Sequence, residues 1–279
     1  CTIIMVFKWG VALRPFCLDV HSQHIKWIHS KREVIIMQYD DEVISIRDDV
    51  ANFKVEQIID INISFFLYIT QYITDGCSLL DIGTGNGFVL SQVLEKTNQQ
   101  IKLFGVDNSK EMVLLARKNL ADNAKIVRAN IDNLPFDDCS FDIVTAKNVT
   151  RIDTSEIFRI LKDNGVFIFR EYGYGKGMIE IAKLFDGRVI RQQQPEYYVD
   201  NLSSAGFQII KFEKFEIARG YNSAQELVSI VKSFPFIEDF SESDENTILE
   251  KFSENATITS DPFILVAIKP KGCEKNEKS

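Results

Sequence analysis

The run Leu79-Leu80-Asp81-Ile82-Gly83-Thr84-Gly85-Asn86-Gly87 drives an apolar, β-prone segment directly into three glycines at alternating positions. Glycines there let the chain turn tightly and let a ligand approach the backbone closely. Phe88 to Thr97 reads as a helix, whose first N–H groups lack partners inside the helix. A strand, a glycine turn and a helix in that order point to an α/β sheet that holds a nucleotide-like ligand.

The flanking sequence repeats this rhythm. Ser78 to Ile82, Ile101 to Val106, Lys125 to Arg128, Phe141 to Ala146 and Val166 to Arg170 read as strands. Helices are expected at Ser109 to Asn119 and Ser155 to Leu161, with a turn at Asn164-Gly165. Strand and helix alternate over short links, the pattern of an open sheet covered on both faces. Gly177 to Phe185 and Glu196 to Ala205 continue as helices, and Phe207 to Phe212 and Phe263 to Ile268 as strands. Residues 221–260 read as a largely helical insertion, clearest at Ala224 to Ser233. Upstream, Glu33 to Tyr39 and Glu42 to Arg47 suggest a hairpin turning at Asp40-Asp41. The apolar spacing of residues 51–74 suits one helix, ended by Asp75-Gly76. The expected organisation is an N-terminal cap over 1–50, a main domain over 51–270 and a polar tail over 271–279.

Composition narrows the partners. Hydrophobic residues make up 45% of 279, enough for a sizeable core, and the 21 phenylalanines read chiefly as its filling. A net charge of −8 is a poor match to non-specific grip on nucleic acid. No run of apolar residues is long enough to cross a membrane. The apolar Thr2 to Phe7 has no basic region before it or cleavage site after it, and is not read as a signal peptide. Five scattered cysteines form no CxxC pair, which fits a reducing compartment, so a cytoplasmic location is expected. His21, His24 and His29 match no zinc spacing, and no metal is expected.

Asp107 ends the second strand about 20 residues past the glycines, where a carboxylate can accept both hydroxyls of a ribose. Its plainer reading is a helix cap, but Ser109 with Met112 makes a weak capping box. Gly83, Gly85 and Gly87 form GxGxG rather than the GxGxxG of dinucleotide sites, with Phe88 following. That spacing favours a smaller adenosyl ligand.

These residues resemble the class I S-adenosylmethionine-dependent methyltransferases, closely over residues 76–172 and more loosely over 173–270. The stretch from Ala129 through Leu134-Pro135-Phe136 to Ser140-Phe141-Asp142 is similar to that family's G-D-A-x-x-L-P-F-x-D-x-S-F-D signature, with Asn130 where the family carries an adenine-binding Asp. An Asn oxygen still reaches an amino group. The resemblance implies a Rossmann-like methyltransferase fold: a seven-stranded, mostly parallel sheet in the order 3-2-1-4-5-7-6, with helices on both faces. It implies S-adenosylmethionine as cofactor, held by Asp81, Gly83, Thr84, Gly85, Gly87, Asp107, Asn108, Asn130, Ile131 and Lys147. In the family, Asp81 supports the glycine loop.

The acceptor is less legible. No Asn/Asp-Pro-Pro-Tyr/Phe segment follows the fourth strand, where Ala146-Lys147-Asn148-Val149-Thr150 stands instead. The activated sulfonium leaves the protein mainly to align the nucleophile and exclude water. Lys147, Asn148, Arg151, Arg170, Glu171, Tyr172 and Tyr174 follow the fourth and fifth strands and are candidate acceptor contacts. Glu171, Tyr172, Lys147 and, from the N-terminal cap, His24 form the candidate catalytic set. Gly173 to Gly177 reads as a flexible segment, a hinge or a loop over the site. The insertion over 221–260 suits a small enclosed acceptor, so the expected function is methyl transfer to an oxygen or nitrogen of a small or medium-sized metabolite. The alternatives are methylation of RNA or protein, or a non-catalytic scaffold that binds the cofactor; an oxidoreductase is disfavoured by the glycine spacing.

Overall fold

The computed structural model describes residues 60–149, 151–190 and 193–272, and the backbone of Phe7–Lys8, Val11–Ala12 and Glu56–Gln57. The expected hairpin over 33–47, His21, His24, His29 and Thr150 lie outside the described residues.

The chain divides into two compact units. The larger comprises Val55–Leu184, Arg191–Gly220 and Thr257–Ser279. Its strands are β1 (Ser78–Ile82), β2 (Lys102–Asp107), β3 (Lys125–Arg128), β4 (Phe141–Lys147), β5 (Leu161–Tyr172), β6 (Gln208–Lys214), β7 (Ile217–Gly220), β8 (Thr257–Ser260) and β9 (Pro262–Ile268). Its helices are α1 (Ile61–Thr70), α2 (Phe88–Lys96), α3 (Lys110–Leu120), α4 (Thr154–Ile160), α5 (Ile179–Leu184) and α6 (Pro195–Ser204). Seven strands form one sheet in the order β3-β2-β1-β4-β5-β9-β6. The first five run parallel, and β9 lies antiparallel between β5 and β6. This is the expected Rossmann-like methyltransferase order, with β9 standing where strand 7 was expected, between β5 and β6.

Every residue of β1 is buried, as a central parallel strand requires. Alternation divides the core between two faces. Leu79, Ile143, Ile168 and Ile264 pack with α1, α2 and α3 on one face. Leu80, Val144, Phe167, Phe169 and Phe263 pack with α4 and α6 on the other. Phenylalanine fills this core as expected: Phe104, Phe136 and Phe141 meet edge to face, at centroid distances of 4.9 to 6.0 Å.

Four expectations are corrected. Residues 51–74 do not form one helix: Glu56–Gln57 pairs with β7, and α1 starts only at Ile61, where the Asp60 carboxylate accepts the Asn62 N–H at 2.9 Å. The insertion is not helical to residue 260, because Thr257–Ser260 turns back as β8 against β7. The fifth strand starts at Leu161 rather than Val166 and takes in the Asn164-Gly165 turn as an irregularity, with Asn164 at a φ of 62° where the register with β4 shifts. Gly173 to Gly177 is no loose hinge, because Asp261 ties it down. Gly175 and Gly177 donate backbone N–H bonds of 2.6 and 2.7 Å to the Asp261 carboxylate, and Gly173 donates to its carbonyl at 2.9 Å.

The smaller unit includes Phe185–Ile190 and Tyr221–Ala256. Its helices are α7 (Ala224–Ser233) and α8 (Glu242–Lys251). Leu227, Val228, Val231 and Ile248 are buried. Arg188 grips the Asp244 carboxylate at 2.8 and 2.9 Å and the Glu238 carbonyl at 2.8 Å, tying the short segment to the start of α8.

Candidate active site

The glycine turn leaves β1 in a conformation that ordinary side chains resist. Gly83, Gly85 and Gly87 have φ values of 65°, 54° and 86°. A methyl on Gly87 would meet Leu120 at 2.6 Å, whereas one on Gly85 would meet nothing within 4 Å. The turn is therefore closed against α3 at Gly87 and open at Gly85. Thr84 is buried, and its N–H donates to the Val106 carbonyl at 2.9 Å, stitching the turn to β2.

Asp107 reaches the turn from the end of β2. One carboxylate oxygen accepts the Gly85 N–H and the other the Ser109 N–H, both at 2.9 Å. The cap of α3 falls to Ser109, whose hydroxyl accepts the Met112 N–H at 3.2 Å. Asp107 is thus free of the capping role. Each of its oxygens keeps a lone pair for a further donor.

Asp81 is fully buried beneath the turn, where its carboxylate accepts the Thr145 hydroxyl at 2.8 Å. Burial pushes its pKa up to about 7, against the lowering effect of the Thr145 hydroxyl and the charge of Lys147. The Thr84 hydroxyl is buried beside it without a hydrogen-bond partner.

Asn130 is exposed and Ile131 half-buried in the segment after β3. Glu156 and Arg159 of α4 fix that segment: Glu156 accepts the Leu134 N–H at 2.8 Å, while Arg159 donates to the Phe136 and Leu134 carbonyls at 2.7 and 3.1 Å. The Leu-Pro-Phe-like signature is in this respect structural. Leu134 is buried, Phe136 joins the aromatic trio, and Asp142 accepts the Ser78 N–H and hydroxyl at the far end of β1. Neither Glu156 nor Arg159 was legible as a site residue, because their partners lie 20 or more residues upstream.

At the carboxyl ends of β4 and β5, Lys147 pairs in register with Arg170. Both share the strand parity of Asp81, Thr145 and Tyr172. Glu171 has the opposite parity, that of Phe167 and Phe169. The four expected residues Lys147, Arg170, Glu171 and Tyr172 are therefore neighbours split between two faces. Glu171 is buried, and its carboxylate accepts the Tyr172 N–H at 2.8 Å; burial pushes its pKa up to about 7. The Lys147 ammonium stands 5.0 Å from the Phe88 ring centroid, and burial together with the charge of Arg170 lowers its pKa to about 8. Burial pushes the Tyr172 phenol up, but Arg170 and Arg219 outweigh it and bring it down to about 7. Arg219 projects from β7, a strand that polar alternation did not reveal.

Arg151 leaves this cluster to pair with Asp132 at 2.7 Å, and Asn148 is exposed with a φ of 53°. Asn108 is exposed, and its carbonyl accepts from Arg128 at 2.9 Å. A cleft of about 340 Å³ lined by Ser78, Lys102, Phe104 and Lys162 opens at the opposite ends of the strands and holds none of the expected site residues. No group of three His, Cys, Asp or Glu residues poised for a metal occurs among the described residues, and no described helix is long and apolar enough to cross a membrane.

A family model described as a methyltransferase domain matches residues 73–205. A ubiquinone/menaquinone biosynthesis C-methyltransferase of Brucella anthropi is 34% identical over 108 residues, 35% of this chain and 41% of that protein. A Methanocaldococcus jannaschii protein without assigned function is 32% identical over 162 residues, 56% of this chain and 57% of that protein. The chain thus spans well under two thirds of the relatives it matches. Among solved structures, the [4+2]-cyclase SpnF superposes with a TM-score of 0.58 at 20% identity, covering 82% of this chain and 94% of that one. A candidate methyltransferase of Bacillus halodurans superposes with a TM-score of 0.56 at 15% identity, covering 74% of this chain and 99% of that one. Both show the shared fold. A cyclase among them illustrates that the fold alone does not set the reaction.

Proposed function

We propose that this chain, whose residues 73–205 match a methyltransferase-domain family model, is a class I S-adenosylmethionine-dependent methyltransferase that binds S-adenosylmethionine and transfers a methyl group to a small or medium-sized metabolite. The observation that carries this reading is Asp107 held against Gly85, with the turn open at that glycine. When bound, the cofactor supplies a methyl group on a positively charged sulfur. Gly83, Thr84, Gly85 and Gly87 would cradle it, with Asp81 bracing the turn from beneath. Asp107 and Asn108 would meet the ribose, and Asn130 and Ile131 the adenine. Lys147 would contribute a charge at the rim.

The residues at the ends of β4 and β5 serve the acceptor in this reading. Lys147, Glu171 and Tyr172 have pKa values drawn to about 8, 7 and 7, so each is poised to exchange a proton near neutral pH. Tyr172 is the best placed of the three to take a proton from an acceptor, because two guanidinium groups stabilise its phenolate. An oxygen or nitrogen acceptor suits such a group, and the quinone C-methyltransferase relatives set an activated carbon beside them. His24 is retained as a candidate from the N-terminal segment.

Calorimetric titration with S-adenosylhomocysteine tests the reading. The native chain is expected to bind, and Asp107→Ala to lose roughly 1.5–3 kcal/mol, about ten- to a hundredfold in affinity, as for hydrogen bonds to a charged group. No binding by the native chain, or equal binding by the variant, would sink it. An acceptor screen, metabolites before RNA, follows a positive result.

A further inference from the structure

Arg170 is 2% exposed, so its charge has been taken out of water. Its Nη1 donates to the Asn148 side-chain oxygen, and its Nη2 to the Tyr172 hydroxyl at a long 3.4 Å. Its Nε is buried with no acceptor. Directly opposite in register on the adjacent strand, Lys147 carries a second positive charge over the Phe88 ring. Neither forms an ion pair with a carboxylate among the described residues. Glu171 has the wrong parity, and Asp81 is turned to Thr145. The Tyr172 hydroxyl, at 3.4 Å, is a weak partner and leaves the buried Nε unmatched; a buried cation so thinly compensated is costly.

The pair sits where an open α/β sheet receives its ligands, at the carboxyl ends of neighbouring strands and one strand from the glycine turn. From this we infer that Lys147 and Arg170 form a seat for an anionic group, a carboxylate or phosphate, on a small molecule bound at this site. Two sources share that chemistry: an anionic substituent of the acceptor, and the carboxylate of the cofactor's own methionine moiety. The inference rests on the proposed function for its ligand, and on the unmatched Nε of a buried guanidinium for its charge.

The test uses the full chain with inorganic phosphate as probe, titrated with and without saturating S-adenosylhomocysteine. Phosphate that still binds beside S-adenosylhomocysteine, and loses roughly tenfold or more in Lys147→Met as expected for one charge-assisted contact, assigns the seat to the acceptor. Phosphate displaced by S-adenosylhomocysteine assigns it to the cofactor's carboxylate. In that case Lys147→Met also weakens S-adenosylhomocysteine but not methylthioadenosine, which lacks the carboxylate. No phosphate binding by the native chain, or equal binding by Lys147→Met, overturns the inference. Arg170→Gln repeats the measurement where circular dichroism shows a native fold; Lys147→Met, at the partly buried end of β4, decides the matter if it does not. Failure of S-adenosylhomocysteine to bind the native chain would count against the proposed function alone, since the phosphate titration is read without it.

Discussion

Glu171 holds a carboxyl group whose ordinary pKa of 4.5 is pushed up to about 7 by burial. Between those values the folded chain keeps a proton that the unfolded chain has released. The stability it contributes is therefore full below about 4.5 and is lost as pH rises through 7. Glu171→Gln cannot ionise, yet retains an oxygen for the Tyr172 N–H. Relative to the native chain, the variant should gain stability from pH 5 to pH 8, by about 2 kcal/mol given ~1.4 kcal/mol per pKa unit. Urea midpoints at the two pH values measure this, and a gap that fails to widen would mean that Glu171 is charged in the folded chain. At this scale the sequence was legible where chemistry is local. Gly83, Gly85, Gly87 and Asp107 announce themselves by spacing along one strand–turn–helix unit. Asp261, Arg219 and Arg159 do not, since their partners lie 20 to 90 residues away and no short pattern marks them.

Among the elements, the loop between β5 and α5 owes its shape to one carboxylate. Asp261→Ala would leave the N–H groups of Gly175 and Gly177, both buried, without acceptors. Each orphaned donor costs ~1–3 kcal/mol. Amide exchange should quicken at Gly175 and Gly177 well before it does in β5, and the variant should unfold at lower denaturant. Unchanged exchange at those two glycines would show that the loop keeps its form unaided. The same contact explains why the glycine-rich run misled a reading from sequence: glycine count signals freedom, and a tertiary hydrogen bond removed it. The major strands and α2, α3, α4, α6 and α7 were readable because their apolar periodicity is strong. β7, β8 and the Glu56–Gln57 pairing were not, because they are short and lie outside the regular strand–helix alternation that marked the four-residue β3.

For the whole molecule, the larger unit is expected to respond to its ligand as one body. S-adenosylhomocysteine at a hundred times its Kd should stabilise the chain by ~2.7 kcal/mol through mass action. In a chain of this size that raises the thermal midpoint by several degrees. Scanning calorimetry over a ligand series measures it, and a midpoint indifferent to ligand would remove the cofactor reading at its root. The sheet also has a consequence for the order in which it can be made. β6 is synthesised some fifty residues before β9, yet β9 is its neighbour in the sheet and stands between it and β5. On a ribosome, β5 therefore waits with one edge bare, and β6 waits without a sheet to join, until Pro262 to Ile268 has cleared the exit tunnel. Until that closing strand emerges, the bare edge of β5 and the unjoined β6 leave the nascent chain open to wrong pairing.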